Sequence, residues 1–270
     1  MLPLARWSWN ARRGLLGVLT DIDDTLTTSG AITPDALQAL VDLKAAGLHV
    51  IAITGRPVGW SAPFAAAWPV DAIVAENGAV ALMVDSDGML TKRYQQDAAT
   101  RTANFTRMHQ VLARIEHEIP GAQRATDSPG RETDIAIDHS EFAHLSEAQI
   151  AAVVALMRSE GMHATVSSIH INGWYGEHNK LVGARWTVRE LYSRTLDDEI
   201  SRWAYVGDST NDQLMFEAFA YSIGVANVRR FVPQLAHLPR YVTDGERGAG
   251  FAEVARAVLA ARNARSSFTA

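Results

Sequence analysis

The stretch LTDIDDTLTTSG, residues 19–30, places three aspartates directly after a short apolar run. Residues 14–20 suit a buried parallel strand, because they are apolar and flanked by polar residues. Asp21, Asp23 and Asp24 follow where that strand ends, and like charges this close repel one another and resist burial. Two interpretations are open at this point: an acidic, solvated turn, or a site that recruits a divalent cation.

The composition limits the classes of protein to consider. The chain has 270 residues, of which 47% are hydrophobic and 20% charged, so it can bury a real core as one large domain or two ordinary ones. The net charge of −5 gives no basic footprint for nucleic acid, and no apolar stretch is long enough to span a membrane. We expect a cytoplasmic protein without nucleic-acid or membrane partners, and the oligomeric state stays open.

The basic residues and the absence of cysteine limit the kinds of functional site that the chain can form. There are no cysteines, which excludes disulfides, thiolate metal sites and a thiol nucleophile. Of the 25 basic residues, three are lysines and the other 22 are arginines. Lys44 and Lys92 are expected at the surface, which leaves Lys180 as the lysine to consider for a function.

Strands and helices alternate in the first part of the chain and again in the last part. Thr33 and Pro34 are suited to open a helix after the first strand, and Gly47 to close it. Such alternation predicts a parallel sheet with right-handed crossovers, that is, a doubly wound, Rossmann-like α/β core. The strands predicted for this core are residues 14–20, 48–54, 71–75, 203–207 and 221–225.

The pattern changes between these two parts. Residues 79–94 have the pattern of a hairpin with its turn at 85–88, and mixed helices and strands follow as far as residue 174. This is typical of an α+β unit inserted into the α/β one. We therefore predict a core formed by residues 1–84 and 176–270, with an α+β cap formed by residues 85–175.

The acidic and polar residues of the core fall at strand ends. Asp21, Thr54 and Asp208 each follow a predicted parallel strand directly, and in open α/β sheets these ends share the edge where ligands bind. The pairs Asp21/Asp23 and Asp208/Asp212 should therefore meet in space, which favours the cation interpretation. Oxygen ligands without cysteine or a histidine pair indicate a hard cation, and Mg²⁺ is the natural choice.

Such a site has a definite chemistry. Lys180, Thr54 and nearby backbone N–H groups could hold the oxygens of a phosphate group. A carboxylate facing that phosphate can act as a nucleophile and form an aspartyl-phosphate. Asp23 is placed to protonate the leaving alkoxide and later to activate water.

Four motifs in order give the chain a resemblance to the haloacid dehalogenase-like phosphohydrolases. They are DIDDT (21–25), Thr54 in AITGRP, Lys180, and GDSTND (207–212). The insert between the second and third motifs resembles the subfamily with a large α/β cap there. That subfamily includes phosphatases of sugar phosphates, sucrose phosphate, trehalose phosphate and mannosyl-phosphoglycerate, and the resemblance covers nearly the whole chain.

The resemblance implies a role for each motif residue. Asp21 would be the nucleophile, and Asp23 the general acid/base that also binds Mg²⁺ through its carbonyl. The chain departs from the pattern at Asp24, where many relatives carry glycine, and we expect this side chain to point away from the phosphate. The implied phosphate-binding residues are Thr54, Gly55, Lys180 and Asn211. The implied metal ligands are Asp21, Asp23, Asp208 and Asp212.

Substrate specificity is expected from the cap and from residues beside the motifs. A tryptophan face with amide donors suits a sugar. The candidate substrate contacts are Arg56, Asn77, Asn172 and Trp174. The alternatives are a nearby salt bridge for Arg56 and a plain turn for Asn77, and for the cap candidates a surface or packing role is favoured. Further polar candidates near predicted cap loops are Arg131, His170 and His178.

Three functions fit these motifs. The first is a Mg²⁺-dependent phosphatase of a small phosphorylated sugar or sugar derivative. The second is a phosphomutase, which would return the phosphoryl group to a sugar and would need a second phosphate site in the cap. The third is a non-catalytic phosphosugar-binding module on the same fold. The presence of both Asp21 and Asp23 argues against the third, because a binder needs no paired nucleophile and acid.

Overall fold

The computed structural model describes residues 1–263 as an α/β protein with two larger sheets. The β-strands are β1 (Leu2–Pro3), β2 (Gly17–Thr20), β3 (Thr27–Thr28), β4 (Ala31–Ile32), β5 (His49–Ile53), β6 (Ala72–Ala75), β7 (Val80–Val84), β8 (Leu90–Tyr94), β9 (Gln123–Arg124), β10 (Ile135–Asp138), β11 (His163–Val166), β12 (His170–Trp174), β13 (Trp203–Gly207), β14 (Tyr221–Gly224) and β15 (Tyr241–Val242). The α-helices are α1 (Trp9–Arg13), α2 (Pro34–Ala45), α3 (Val58–Ala67), α4 (Ala98–Glu118), α5 (Glu147–Ser159), α6 (Lys180–Tyr192), α7 (Gln213–Ala218) and α8 (Arg247–Asn263).

Nine strands form the large sheet, in the order β1-β15-β14-β13-β2-β5-β6-β7-β8. The strands from β1 to β6 in that order are parallel, and β7 and β8 add an antiparallel hairpin at one edge. The central strands are buried on both sides, as parallel strands covered by crossover helices must be. The predicted Rossmann-like fold with an inserted cap is confirmed.

Successive residues of the central strands enter two separate hydrophobic clusters. In β2, Val18 belongs to the cluster that includes α2, α3 and α8, while Leu19 belongs to the cluster that includes α6 and α7. Val50 and Ile51 in β5 divide in the same way. This follows from the two-residue period of a strand, which places neighbouring side chains on opposite faces. The core therefore has three layers, with helices on both sides of the sheet.

The strand pairing places the hairpin differently from the sequence-based domain boundary. β8 pairs along its whole length with β7 and so extends the large sheet, although residues 85–94 were assigned to the cap. The physical reason is that β7 has a free edge, and the turn at Asp85–Gly88 folds the chain directly back onto it. The boundary at residue 84 is therefore about ten residues too early by this criterion. The remaining division of the chain stays a prediction, and "cap" below means residues 95–175.

The cap is built on its own antiparallel sheet, in the order β11-β12-β10-β9. Helices α4 and α5 pack on one face of this sheet around a third hydrophobic cluster. The helices begin with capping side chains: Asp97 accepts from Thr100 N, and Ser146 forms a capping box with Gln149.

Glu76 connects the core to the cap. It follows β6, it is fully buried, and its carboxylate accepts hydrogen bonds from Val58 N at the start of α3 (3.0 Å) and from Glu132 N in the cap (2.9 Å). Thr133 N and Thr133 Oγ1 add two further donors at 2.5 Å. Four donors offset the desolvation of a buried carboxylate, so this residue fixes one side of the cap against the core.

Within residues 1–263, none of the helices combines the length and the hydropathy needed to cross a membrane.

Candidate active site

Three neighbouring strands of the large sheet end at the predicted motif residues. Asp208 follows β13, Asp21 follows β2 and Thr54 follows β5, and these strands are adjacent in the order β13-β2-β5. Asp21 N still donates to Val206 O (2.8 Å), so the ladder fixes its backbone. In an open α/β sheet the carboxyl ends of parallel strands share one edge, which is called the carboxyl-end rule below. The first, second and fourth motifs therefore lie side by side, as the sequence predicts.

Lys180, the third motif, is brought to the same edge by α6. It is the first residue of that helix, whose N-terminus is capped by the Asn179 side chain. The helix approaches the turn at Glu76–Gly78 very closely, because a Cβ on Gly78 would lie 2.3 Å from Asn179 O and one on Gly183 would lie 2.5 Å from the Gly78 Cα. The two glycines therefore set the position of the lysine.

The acidic residues and the lysine form one buried cluster. Asp21, Asp208 and Asp212 each offer a carboxylate oxygen, and these oxygens lie within 4.8 Å of one another. Lys180 Nζ donates to Asp21 Oδ1 (2.6 Å) and to Asp212 Oδ1 (2.7 Å). All four side chains are buried. Three carboxylates facing one ammonium group leave an excess of negative charge.

The charge excess changes the protonation of the cluster. Burial raises the pKa of Asp21 to about 8, with Lys180 acting in the opposite direction. Burial, and then the neighbouring Asp21 and Asp212 carboxylates, raise the pKa of Asp208 well above its usual value. Burial and mutual repulsion therefore disfavour the ionised forms of Asp21 and Asp208, and a further positive charge in the cluster would favour them.

A divalent cation fits this residue set. Asp208 Oδ1 is buried and has no hydrogen-bond partner in the described part of the chain, while Oδ2 accepts from Asn227 Nδ2 at 2.8 Å. A buried, unpaired carboxylate oxygen is costly, and a cation would remove that cost. Oxygen donors alone suit a hard ion such as Mg²⁺.

Asp212 is the most fully occupied of the predicted metal ligands. Its Oδ1 accepts from Lys180 and from Tyr205 Oη (2.5 Å), and its Oδ2 accepts from Asp208 N (2.9 Å) and Ser209 N (3.1 Å). Four donors leave it little capacity for an ion. This arrangement suits a residue that orients the lysine and the Asp208 loop.

Asp23 lies beside Asp21 but has a different environment. Arg56 Nε lies 3.0 and 3.1 Å from the two carboxylate oxygens of Asp23. The side chain of Asp23 is 15% exposed, whereas that of Asp21 is 6% exposed. At the other end of Arg56, Nη2 donates to Glu141 Oε1 in the cap at 2.8 Å. The second aspartate is therefore linked to the cap, whereas the first is buried with Lys180.

The loop after β5 is held by both the core and the cap. Thr54 Oγ1 accepts from Arg56 N (3.0 Å), and Gly55 O accepts from Arg131 Nη1 (3.0 Å) and Asn172 Nδ2 (3.3 Å). A Cβ on Gly55 would lie 3.2 Å from Asn172 Oδ1 and 3.3 Å from the amide group of Asn77, so this position is tight for any other residue.

The space around the two aspartates is divided into two cavities. The inner one, called the chamber here, has a volume of about 10 Å³ and is lined by Asp21, Asp23, Gly55, Arg56, Asn172, Asn211 and residues 167–170. The outer one, called the vestibule, has about 370 Å³ and includes Asp23, Asp24, Arg56, Glu141 and Arg247 in its wall. Asp23 and Arg56 border both cavities, so they separate the buried cluster from the outside.

Residues 18–150 match the family model described as haloacid dehalogenase-like hydrolase. This match identifies residues 18–150, just under half of the chain, as haloacid dehalogenase-like. A phosphoglycolate phosphatase of Methanosarcina mazei is 26% identical over 242 residues, covering 87% of this chain and 93% of that protein. The expected enzyme class, phosphoric monoester hydrolase, is confirmed by the family and by this relative.

Solved structures share the fold over nearly the whole chain. A Thermoplasma acidophilum protein superimposes with a TM-score of 0.67 at 17% identity, covering 90% of this chain and 98% of its own. The sucrose-phosphatase of Synechocystis superimposes with a TM-score of 0.64 at 15% identity, covering 91% and 98%. At these identities the likeness concerns the fold, with the cap included.

Two of the four substrate candidates lie in the chamber of this hydrolase. Arg56 and Asn172 line it, and Asn172 Nδ2 also donates to Asp134 Oδ2 in the cap (2.9 Å). Asn77 lies behind Gly55 with a positive φ of 55°, and its Nδ2 is buried without a partner in residues 1–263. Asn211 lines the chamber and accepts from Ser209 Oγ (3.0 Å).

The candidate role of Trp174 as a substrate contact has to be corrected. The sequence suggested its ring as a platform for a sugar, but the structure buries it in the hydrophobic cluster of the cap. The ring stacks against His163 and His178, with centroid distances of 6.0 and 5.4 Å, and its Nε1 donates to His178 O (2.9 Å). The side chain packs at the end of β12 rather than facing the chamber, because burial of its large apolar surface determines its position.

Asp24 fits the position where glycine is frequent in relatives. Its φ is 55°, in the left-handed region that glycine adopts without strain and that aspartate tolerates. Its carboxylate lies 2.9 Å from Arg247 Nε and lines the vestibule rather than the chamber. This agrees with a side chain directed away from the buried cluster.

The sequence reasoning missed Asn227, Glu141 and Asp134. Asn227 binds Asp208, donates to Asp24 O (3.0 Å) and accepts from Arg247 N (2.9 Å). It follows β14 by three residues, so the carboxyl-end rule applied to that strand would have indicated it. No comparable signal marks the two cap residues, whose position depends on how the cap sits on the core.

Proposed function

We propose that this hydrolase is a Mg²⁺-dependent phosphatase that acts on a small phosphorylated sugar or sugar derivative through an aspartyl-phosphate on Asp21. The observation that carries the proposal is the buried Asp21–Lys180 contact at 2.6 Å, with Asp208 and Asp23 beside it. It combines a nucleophile, a cation for phosphate and an acid/base within one site.

The phosphoryl group is held from three sides. Lys180 and the hydroxyl and backbone groups of the loop at Thr54 and Gly55 donate to its oxygens. Asp21, Asp208 and the carbonyl of Asp23 would hold Mg²⁺. When bound, that ion supplies the positive charge that lets a dianionic phosphate approach an acidic cluster.

The chemistry follows in two steps. An Asp21 oxygen attacks phosphorus and the bond from phosphorus to the leaving oxygen breaks, while Asp23 gives its proton to that oxygen. Asp23 then takes a proton from a water molecule, which attacks phosphorus and releases inorganic phosphate and the free Asp21 carboxylate. Tyr205, Ser209 and the Asp208 backbone keep Asp212, and through it Lys180, in place.

The cap supports a small substrate. It contributes Asn172, His170 and residues 167–169 to the chamber wall, so the cluster is covered in this structure. Closure of a cap excludes water during phosphoryl transfer and leaves little room for a protein or polymer. The structural neighbours that are named for sucrose phosphate and trehalose 6-phosphate support a sugar as the leaving group.

The phosphomutase alternative is less well supported. A mutase needs a second phosphate site with free cations in the cap. Arg131, the buried cap arginine, is bound by Asp127 (3.0 Å) and Asp134 (2.7 Å). This buried cap arginine is thus already neutralised and is not free to bind a second phosphate.

The test is phosphate release from a panel of phosphorylated sugars, with and without Mg²⁺. The proposal predicts Mg²⁺-dependent release from at least one sugar phosphate. Conversion to an isomeric sugar phosphate without release would indicate the mutase, and binding without turnover would indicate the binding module. The cytoplasmic location and the lack of nucleic-acid and membrane partners stay predictions from composition.

A further inference from the structure

The charged groups between the chamber and the vestibule are already paired within the protein. Arg56 is bound by Asp23 at one end and by Glu141 at the other, and Asp127 lies 3.3 Å from its Nη1. His170 Nε2 lies 2.9 Å from the second oxygen of Glu141. The guanidinium that faces the leaving-group side is therefore occupied by carboxylates from both the core and the cap.

The vestibule is the place for the leaving group. It borders on Asp23, the residue that donates a proton to the leaving oxygen, and its volume of about 370 Å³ lies in the usual range for small-ligand sites. The three carboxylates of its wall, Asp23, Asp24 and Glu141, face two guanidinium groups. Arg247 is paired with Asp24 (2.9 Å) and Arg56 with the other two carboxylates. With Asp23 protonated, as its role as the acid requires, Asp24 and Glu141 neutralise the two guanidinium groups, so the wall offers no unpaired cation.

Glu141 is held firmly in this position. Asp138, at the end of β10, accepts from four successive backbone N–H groups, those of residues 140–143, at 2.9–3.2 Å. Partial burial alone would raise the pKa of Glu141, but hydrogen bonds from His170 and Arg56 outweigh it and lower the pKa to about 2. The side chain is thus a fixed negative charge at working pH.

We infer that the leaving group is an uncharged polyhydroxyl group, and that Glu141 determines this specificity by occupying the guanidinium that would otherwise bind an acidic one. A carboxylate on the substrate would have to displace Glu141 from Arg56 and lie beside like charges, which weakens its binding. Hydroxyl groups, in contrast, can donate to these carboxylate oxygens. The inference rests on the proposed function and makes phosphoglycolate, named for the relative of Methanosarcina mazei, a poor substrate here.

The experiment compares matched pairs of phosphate esters that differ in one charge. The pairs are glucitol 6-phosphate with 6-phosphogluconate, and 2-hydroxyethyl phosphate with phosphoglycolate. Hydrolysis of p-nitrophenyl phosphate reports the general activity. We expect the wild type to favour the neutral member of each pair by at least tenfold in kcat/KM. Glu141→Gln keeps the shape and removes the charge, so it should reduce this preference at least fivefold, chiefly by improving the acidic member.

Glu177→Gln is the matched control, because it makes the same change of net charge at a side chain that is 97% exposed. It should leave the preference unchanged. A wild-type preference for the acidic members, or an unchanged preference in Glu141→Gln, would overturn the inference. In either case, hydrolysis of p-nitrophenyl phosphate would still support the proposed function. If no ester is hydrolysed with Mg²⁺ present, the proposed function fails and the inference with it. The preference of the wild type between the members of each pair tests the inference even if Glu141→Gln does not fold.

Discussion

Asn227 donates a hydrogen bond from Nδ2 to Asp208 Oδ2 at 2.8 Å, so a loop after β14 orients a carboxylate at the end of β13. The same amide nitrogen donates to Asp24 O (3.0 Å). One buried side chain therefore fixes both acidic loops of the site relative to each other. Partners of this kind orient metal ligands and tune their affinity.

The first prediction concerns this asparagine. Asn227→Ala should weaken Mg²⁺ binding by about 10–100-fold, because the Asp208 carboxylate loses its orientation. The measurements are the Mg²⁺ dependence of activity and direct binding of Mn²⁺ followed by electron paramagnetic resonance. Asn104→Ala, which removes a cap asparagine bonded to Gln96, is the control and should leave both unchanged. An unaltered Mn²⁺ affinity in Asn227→Ala would refute the positioning role.

The parts of the site that could be predicted from sequence are those that follow from one local rule. Asp21, Thr54 and Asp208 could be placed because parallel strands present their carboxyl ends at a common edge. Lys180 could be placed because a rare lysine begins the helix after the insert. In each case the backbone geometry of a strand or a helix start decides the position, and the sequence encodes that geometry locally.

The parts that could not be predicted depend on contacts far apart in the chain. Glu141 reaches Arg56 only because the Glu76 carboxylate and the Arg131–Gly55 contact fix the cap on the core. The role of Trp174 could not be decided from sequence, because a tryptophan beside polar residues suits both a sugar site and a packed strand end. Helix α3 contains Pro63, which is unfavourable inside a helix by local preference, so tertiary burial decides its structure.

The second prediction is that the activity depends on a divalent cation. Treatment with EDTA should abolish phosphate release and added Mg²⁺ should restore it, because the acidic cluster otherwise repels the phosphate dianion. Asp208→Asn removes one charge from the cluster without removing Lys180, so it should raise the Mg²⁺ concentration for half-maximal activity more than it raises the KM for substrate. Full activity after exhaustive chelation would contradict the cation site.

The third prediction concerns acid stability and His178. Burial, and then the neighbouring His163, lower the pKa of His178 from 6.5 to about 4. Both ring nitrogens are buried and lack partners among residues 1–263, so the fold holds the neutral ring. The unfolded chain therefore binds a proton on His178 more readily than the folded chain does. The contribution of the neutral ring to the free energy of unfolding is complete above about pH 6.5 and is lost as the pH falls from there through 4. The total loss is about 3 kcal/mol.

His178→Phe keeps an aromatic ring against Trp174 and cannot take up a proton. The free energy of unfolding from urea titrations should therefore fall less steeply between pH 6.5 and 4 in this variant than in the wild type. His144→Phe, at an exposed cap position, is the control and should follow the wild-type slope. Parallel pH profiles for His178→Phe and the wild type would show that the buried ring does not titrate as described.

The last prediction separates Asp21 and Asp23 by their environments. Asp21 is buried against Lys180 and makes the bond to phosphorus, so Asp21→Asn should abolish turnover of every phosphate ester. Asp23 faces the vestibule and supplies the proton to the leaving oxygen, which matters for a sugar alkoxide and hardly at all for p-nitrophenolate. Asp23→Asn should therefore lose about 10²–10⁴-fold on sugar phosphates while it still transfers phosphate from p-nitrophenyl phosphate to Asp21. Without a base for water, that variant should accumulate phosphoenzyme, which single-turnover kinetics and mass spectrometry of the quenched protein would detect. Equal losses on both substrates, with no mass gain on the peptide that contains Asp21, would show that the two aspartates do not divide the work in this way.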